Sequence, residues 1–160
     1  MTRHTVVDSP VGPLTLVERD GCLAGLYLAG QRHLPDAPTF GPRDDGVLPA
    51  VREQLTAYFA GERRDFDLPL APLGTPFQLQ VWEALRRVPY GRTCSYGELA
   101  VAVGRPSAVR AVGAADGRNP ISIVVPCHRV VGSTGRLTGY AGGVDNKATL
   151  LALEQGATLF

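Results

Sequence analysis

The stretch Ser95-Tyr96-Gly97-Glu98-Leu99-Ala100-Val101-Ala102-Val103-Gly104-Arg105-Pro106-Ser107-Ala108-Val109-Arg110-Ala111-Val112-Gly113-Ala114-Ala115 decides the fold of the second half of the chain. Ser95 followed by Glu98 is a capping box and predicts a helix that stops at Gly104. Pro106-Ser107 restarts a helix from Ala108 to about Arg118. Two helices joined by only Gly104-Arg105-Pro106 form a helix-turn-helix candidate. In the second of them Ala108, Ala111, Gly113, Ala114 and Ala115 are small, so Arg110 is a long cationic side chain among short neighbours. Such a face lets a backbone lie close to something, a groove included. It equally suits tight helix-helix packing, and helix-turn-helix geometry also occurs in folds that never touch DNA.

Downstream, Asn119-Pro120 breaks the helix. The apolar run Ile121-Ser122-Ile123-Val124-Val125 reads as a buried strand ended by Pro126. After Cys127-His128-Arg129, a glycine-rich loop runs from Gly132 to Gly143 around Tyr140. A last helix, about Asp145 to Gln155, carries Leu150, Leu151, Leu153 and Glu154. Upstream, Thr75-Pro76-Phe77-Gln78 offers an N-cap, a proline at the first helical position and a glutamine three residues after the cap; Phe77, Val81 and Leu85 then extend that helix to about Arg87. The first half differs. Three short strands, around Thr5–Val7, Leu14–Val17 and Leu23–Leu28, are punctuated by Ser9-Pro10, Gly12-Pro13 and Asp20-Gly21 and suggest an antiparallel meander. Val47, Val51, Leu55, Tyr58 and Phe59 then share one face of a helix that ends near Gly61, before a linker marked by Pro69, Pro72 and Gly74. The expected fold is α/β of the α+β kind. Residues 1–74 form an N-terminal antiparallel sheet plus helix, and residues 75–160 a mostly helical domain with a helix-turn-helix and a short active-site strand.

With 160 residues, 44% of them apolar, the chain can bury a real core without help from metal or disulfides. No apolar run approaches the ~20 residues that span a bilayer, so no membrane partner is expected. Cys22, Cys94 and Cys127 form no C-x-x-C pair, and with His4, His33 and His128 they show no finger-like spacing. Free thiols in a reducing cytoplasm, and no metal, are the expectation. The net charge of +1 hides an asymmetry: residues 1–74 carry seven arginines against ten carboxylates, and residues 75–160 nine lysines and arginines against five. A nucleic-acid face, if there is one, belongs to the second half.

The chemistry centres on Cys127. Histidine and arginine directly after a cysteine should lower its pKa and raise the thiolate fraction. Adjacent residues point apart, so a direct Cys127–His128 bond is not expected. Water between them can carry the proton, with His128 as base and a carboxylate behind it; Glu154 is the candidate. These features alone leave an alkyl acceptor, a cysteine hydrolase and a redox sensor open.

The ordered set Ser95-Tyr96-Gly97-Glu98-Leu99-Ala100, Arg110-Ala111-Val112-Gly113, Asn119-Pro120, Pro126-Cys127-His128-Arg129-Val130-Val131, Gly139-Tyr140-Ala141-Gly142-Gly143 and Lys147 with Leu150-Leu151-Ala152-Leu153-Glu154 resembles the O6-alkylguanine-DNA alkyltransferases, the methylated-DNA-protein-cysteine methyltransferases. The resemblance covers essentially all of residues 75–160 and extends more weakly over Asp8 to Leu14. It implies direct-reversal DNA repair: irreversible, single-turnover transfer of an alkyl group from O6 of guanine, and O4 of thymine, to Cys127, without a cofactor. By the same resemblance His128 acts through water with Glu154 behind it, and Tyr96 helps rotate the nucleotide and protonates the departing base. Arg110 fills the gap in the base stack while its helix lies in the minor groove, with Ser107, Ala111 and Arg129 also on the DNA. Asn119 braces the turn before the active site, and Tyr140 walls the base pocket with Val130, Ser133 and Gly142. The implied partner is double-stranded DNA carrying O6-alkylguanine, bound by a monomer, with cooperative loading along DNA left open. The competing reading is a non-catalytic lesion-binding protein, against which Cys127 itself argues. Ala141 stands where some relatives have serine, which removes one hydrogen bond to the base.

Overall fold

The computed structural model describes residues 1–156; the last four residues of the expected second domain lie outside it. Strands β1 (Thr2–Val7), β2 (Leu14–Arg19) and β3 (Cys22–Leu28) form an antiparallel sheet in the order β1-β2-β3. Opposite residues include Thr5 with Leu16, and the β2–β3 register shifts at Val17/Glu18. Turn residues Asp20 and Gly21, both at positive φ, reverse the chain between β2 and β3. Helix α1 (Pro49–Phe59) buries Val51, Leu55, Tyr58 and Phe59, as expected from their spacing; Val47, expected on the same face, is buried ahead of the helix, which Pro49 starts.

In the second half, α2 (Pro76–Leu85) and α3 (Tyr96–Ala102) each begin with a complete capping box, Thr75 with Gln78 and Ser95 with Glu98. Both reciprocal bonds are made in each, which fixes where these helices start. Gly104, at φ 75°, ends α3, and α4 (Val109–Gly117) follows, completing the helix-turn-helix. The Trp82 indole N–H donates to the Ala115 carbonyl at 2.9 Å and ties α2 to α4. Two-residue strands β4 (Cys94–Ser95) and β5 (Val130–Val131) pair in parallel, and α5 (Val144–Glu154) closes the chain. One core cluster joins both halves, with Leu16, Leu26, Tyr58, Val81, Leu85, Val112, Ile121 and Leu150 among its buried members.

The active-site strand expected over residues 121–125 is not there. Only Ile121 bridges to the sheet, beside Leu26 of β3. Beyond it the chain turns: Val124 N–H donates to the Ser122 carbonyl at 2.9 Å and Val125 N–H to the Ile121 carbonyl at 3.0 Å. Ile123 sits at φ 73°, a left-handed conformation that costs a β-branched residue about 1–3 kcal/mol. Its burial explains the error. Ile121, Ile123 and Val125 are enclosed like strand residues, and an apolar run shows only that it is buried. The one short strand at this place is β5, after the cysteine.

Candidate active site

Asn119 builds the turn. Its Nδ2 donates to the Val125 carbonyl at 2.8 Å and to Cys127 Sγ at 3.1 Å, with a longer contact to the Ile121 carbonyl, while its Oδ1 accepts from Ile121 N–H at 3.0 Å. One buried amide thus satisfies the backbone of a segment that has no full strand partner and also fixes the sulfur. Pro120 and Ser122 hydrogen-bond on either side of Leu26, so β3 of the first half carries this turn.

Residues Cys127–Arg129 form a single 3-10 turn. It sends Cys127 to one side and the next two residues toward α5. His128 Nε2 lies 2.7 Å from Glu154 Oε2, and Arg129 reaches the same carboxylate through Nε at 2.7 Å and Nη2 at 3.0 Å. Arg129 also donates to the Val88 carbonyl. Tyr58 of α1 donates its phenol to Glu154 Oε2 at 2.6 Å. Burial would raise the Glu154 pKa, but the hydrogen bonds from His128 and Arg129 outweigh it and bring it down to about 2. Glu154 is therefore an anion that accepts from His128 Nε2–H and leaves Nδ1 with the lone pair. That Nδ1 is buried and has no protein partner. Burial lowers the His128 pKa, helped by the Arg129 and Lys147 charges and opposed by Glu154, so the ring rests neutral.

The thiol departs from expectation. Cys127 is 2% exposed, and burial pushes its pKa up to about 12, with the Asp116 carboxylate adding to the rise and Asn119 and Lys147 opposing it. Neighbouring His128 and Arg129 do not lower it, because one is neutral and the other is committed to Glu154. Arg129, expected on the DNA, has its guanidinium buried in the ion pair and held over the Tyr90 ring.

A cleft of about 350 Å³ is lined by Tyr96, Gly113, Asp116, Gly139, Tyr140 and Ala141, with Arg32, His33 and Arg118 also at its wall; Cys127 lies behind it, next to Tyr140. The Tyr96 hydroxyl lies 3.0 Å from Thr138 Oγ1, and burial raises its pKa, which keeps it a proton donor. The buried Tyr140 hydroxyl feels both Cys127 and Ser122 but has no well-formed hydrogen bond. A larger cleft, about 520 Å³, lies between β1–β3 and the start of α1 and contains no nucleophile.

Arg110, Ala111 and Ala114 are exposed on α4, as is Ser107 before it; only Val112 and Ala115, with Asp116, face the core. The small-residue face is therefore open, not a packing surface. Val130 is buried in β5 against Cys94, Ser133 is exposed in the loop, and Gly142 is buried where a Cβ would meet the Tyr140 ring at 2.8 Å and Leu28 at 2.9 Å. These three are not brought together at the cleft.

Sequence reasoning missed Tyr58, Asp116 and Thr138, and gave Lys147 no role. Asp116 had a signal, since with Val112 and Ala115 it shares the buried stripe of α4. Tyr58 had none, being 96 residues from its partner. Among the described residues no three His, Cys, Asp or Glu side chains group as a metal site requires, and no helix is long and apolar enough to cross a membrane.

Two family models match the chain: "6-O-methylguanine DNA methyltransferase, ribonuclease-like domain" over residues 2–72 and "6-O-methylguanine DNA methyltransferase, DNA binding domain" over residues 76–156. The chain is 52% identical to the methylated-DNA--protein-cysteine methyltransferase of Mycolicibacterium paratuberculosis, covering 97% of this chain and 93% of that one. Against the constitutive enzyme of that name from Bacillus subtilis it is 45% identical, with 97% and 96% covered. A crystal structure of Mycobacterium tuberculosis OGT in complex with DNA superposes with a TM-score of 0.91 at 47% identity, over 98% of this chain and 94% of that one. The buried Asn119–Cys127 and His128–Glu154 pairs thus stand in a protein that belongs, over nearly its whole length, to the 6-O-methylguanine DNA methyltransferase family.

Proposed function

We propose that this chain is a methylated-DNA-[protein]-cysteine S-methyltransferase that repairs duplex DNA by moving an alkyl group from O6 of guanine, and O4 of thymine, onto Cys127, once per molecule. The observation that carries the reading is the joining, in one buried 3-10 turn, of a sulfur held by Asn119 to a histidine whose free Nδ1 is backed by the Glu154 anion. His128 makes no hydrogen bond to Cys127, so a water relays the thiol proton to Nδ1. The thiolate then attacks the alkyl carbon in line: the S–C bond forms, the C–O6 bond breaks, and the electron pair stays on guanine. Tyr96 supplies a proton to the departing base, and the proton taken from Cys127 makes good that loss, so none is gained or lost overall. A thioether is stable under cellular conditions, so Cys127 is used once.

The reacting carbon is out of reach in a stacked duplex, so the nucleotide must be flipped, at a cost of a few kcal/mol. The exposed face of α4 suits this step. Ala111 and Ala114 let the helix lie in the minor groove, Ser107 reaches the phosphates at its start, and Arg110 fills the vacated stack. The flipped base enters the cleft between Tyr96 and Tyr140. A monomer with few phosphate contacts scans DNA weakly, and the reducing cytoplasm suits its free cysteines.

Intact-mass measurement after incubation with duplex DNA containing O6-methylguanine tests the proposal. One methyl group per protein, mapped to Cys127, is expected; lesion binding without transfer overturns it in favour of a binding protein. Cys127→Ala should abolish transfer and keep DNA binding.

A further inference from the structure

One buried charge cluster has no part in the mechanism just described. Asp116 of α4 and Lys147 of α5 are both buried, the lysine completely, and both have unsatisfied polar atoms: Asp116 Oδ1 and Lys147 Nζ make no hydrogen bond. They form no close ion pair, yet each is the other's principal charged neighbour. Asp116 also stands in the wall of the cleft with Tyr96 and Tyr140. Its charge is felt from every side of that wall: by Lys147 on α5, Cys127 in the 3-10 turn, Tyr96 on α3, Cys94 on β4 and Tyr140 in the loop.

Lys147 is the buried cation of this group, Arg32, His33 and Arg118 at the same cleft being exposed; it has two anionic claimants, the Asp116 carboxylate and the thiolate that Cys127 becomes. In a region without solvent a second anion beside an already balanced pair is strongly disfavoured, whereas an anion beside a lone ammonium is favoured. We propose that Asp116 is a positioning residue for the transfer reaction that competes with the Cys127 thiolate for the Lys147 cation, and so restrains the nucleophile. The inference rests on Cys127 being the acceptor.

Burial holds the Asp116 carboxyl up at about 7, with Lys147 opposing, so the restraint is strongest above neutrality and weakens as the acid is protonated. A carboxyl that only filled space would give a different result on replacement. Asp116→Asn keeps the shape and removes the charge. The reaction of Cys127 with free O6-benzylguanine and with iodoacetamide, each followed from pH 6 to pH 9 by the mass of the peptide that carries Cys127, reads the effect; the second reagent needs no base pocket, and the peptide mass separates Cys127 from the more exposed Cys22 and Cys94.

The expected result is a roughly three- to tenfold faster reaction of Asp116→Asn with both reagents at pH 8, with the pH–rate midpoint moved to lower pH. Asp116→Ser, which keeps neither charge nor shape, should move the thiol reaction the same way. A slower reaction, or an unmoved midpoint in folded variants, overturns the proposal. Should both variants fail to fold, the wild-type chain decides: with 13C-labelled aspartate, an Asp116 carboxyl that does not titrate between pH 6 and pH 8 overturns it. Mapping the methyl group in wild-type protein tests the acceptor itself, so failure there is told apart from failure of the restraint.

Discussion

Two buried carboxylates flank the reactive cysteine, and they are treated in opposite ways. Glu154 accepts four hydrogen bonds, from Tyr58, His128 and both ends of the Arg129 fork. Asp116 Oδ1 accepts none, and its nearest cation is not in contact. Burial is similar, so the difference lies in the donors. Four donors make Glu154 a permanent anion, with a pKa of about 2, that can orient a base. Without them, burial leaves Asp116 near neutrality, at about 7, an acid whose charge varies with conditions. A protein uses the first kind to build and the second to adjust.

The largest expected effect breaks the first half of this contrast. Glu154→Ala strands Arg129, His128 and the Tyr58 phenol, and removing one partner of a buried ion pair costs about 3–5 kcal/mol. Urea denaturation should show that loss, and alkyl transfer should fall to the limit of detection. The pH dependence carries the same signature. Because the folded pKa of Glu154 is depressed from 4.5, its stabilisation is complete above that value and disappears as pH falls through it toward about 2. Melting temperature against pH should therefore drop steeply in acid for the wild type, and the variant should lack this component.

Asp116→Asn tests the second half. The folded pKa of Asp116 is raised from 3.8 to about 7, so ionisation works against the folded state. The penalty is absent below the unfolded value and grows as pH rises toward neutrality. The variant should gain stability relative to wild type between pH 4 and pH 7, by up to a few kcal/mol, and hold the gain above. A difference that does not change with pH would erase the contrast. Arg110 supplies the reference, as a charge that faces solvent. Arg110→Ala should leave stability and reaction with free base unchanged and slow duplex repair about tenfold, the equivalent of ~1.4 kcal/mol. The smallest effect belongs to Tyr58→Phe, which removes one of four donors and should cost about 1 kcal/mol. A two-dimensional NMR titration should also show His128 protonated at higher pH, since Glu154 then gives it more of its charge.

How much of this was legible follows from the distance over which each signal acts. The starts of α2 and α3 were plain because a capping box is four residues long and both of its bonds lie inside it. The buried face of α1 was plain from its spacing. Residues 121–125 were misread because their hydrogen bonds are completed by the Asn119 side chain and by an isoleucine in a left-handed conformation, neither of which hydrophobic pattern encodes. Around Cys127 the expected pairing of His128 with Glu154 is present, but the expected lowering of the thiol pKa is not. Adjacent letters suggested that Arg129 would serve the thiol, but α5 brings Glu154 to it from 25 positions away. The tie from Tyr58 spans still more chain, and through it the acidic first half reaches the site.

The near-complete enclosure of Cys127 has a consequence for the lifetime of the protein. A nucleophile that can be used once is wasted by any electrophile that reaches it first, and peroxides or reactive small metabolites are far commoner than damaged bases. Oxidation and alkylation both require the thiolate and access to it. A sulfur kept protonated behind Tyr140 and Asn119 offers little of either, so the molecule reacts slowly with stray electrophiles and fast only with a substrate placed against it.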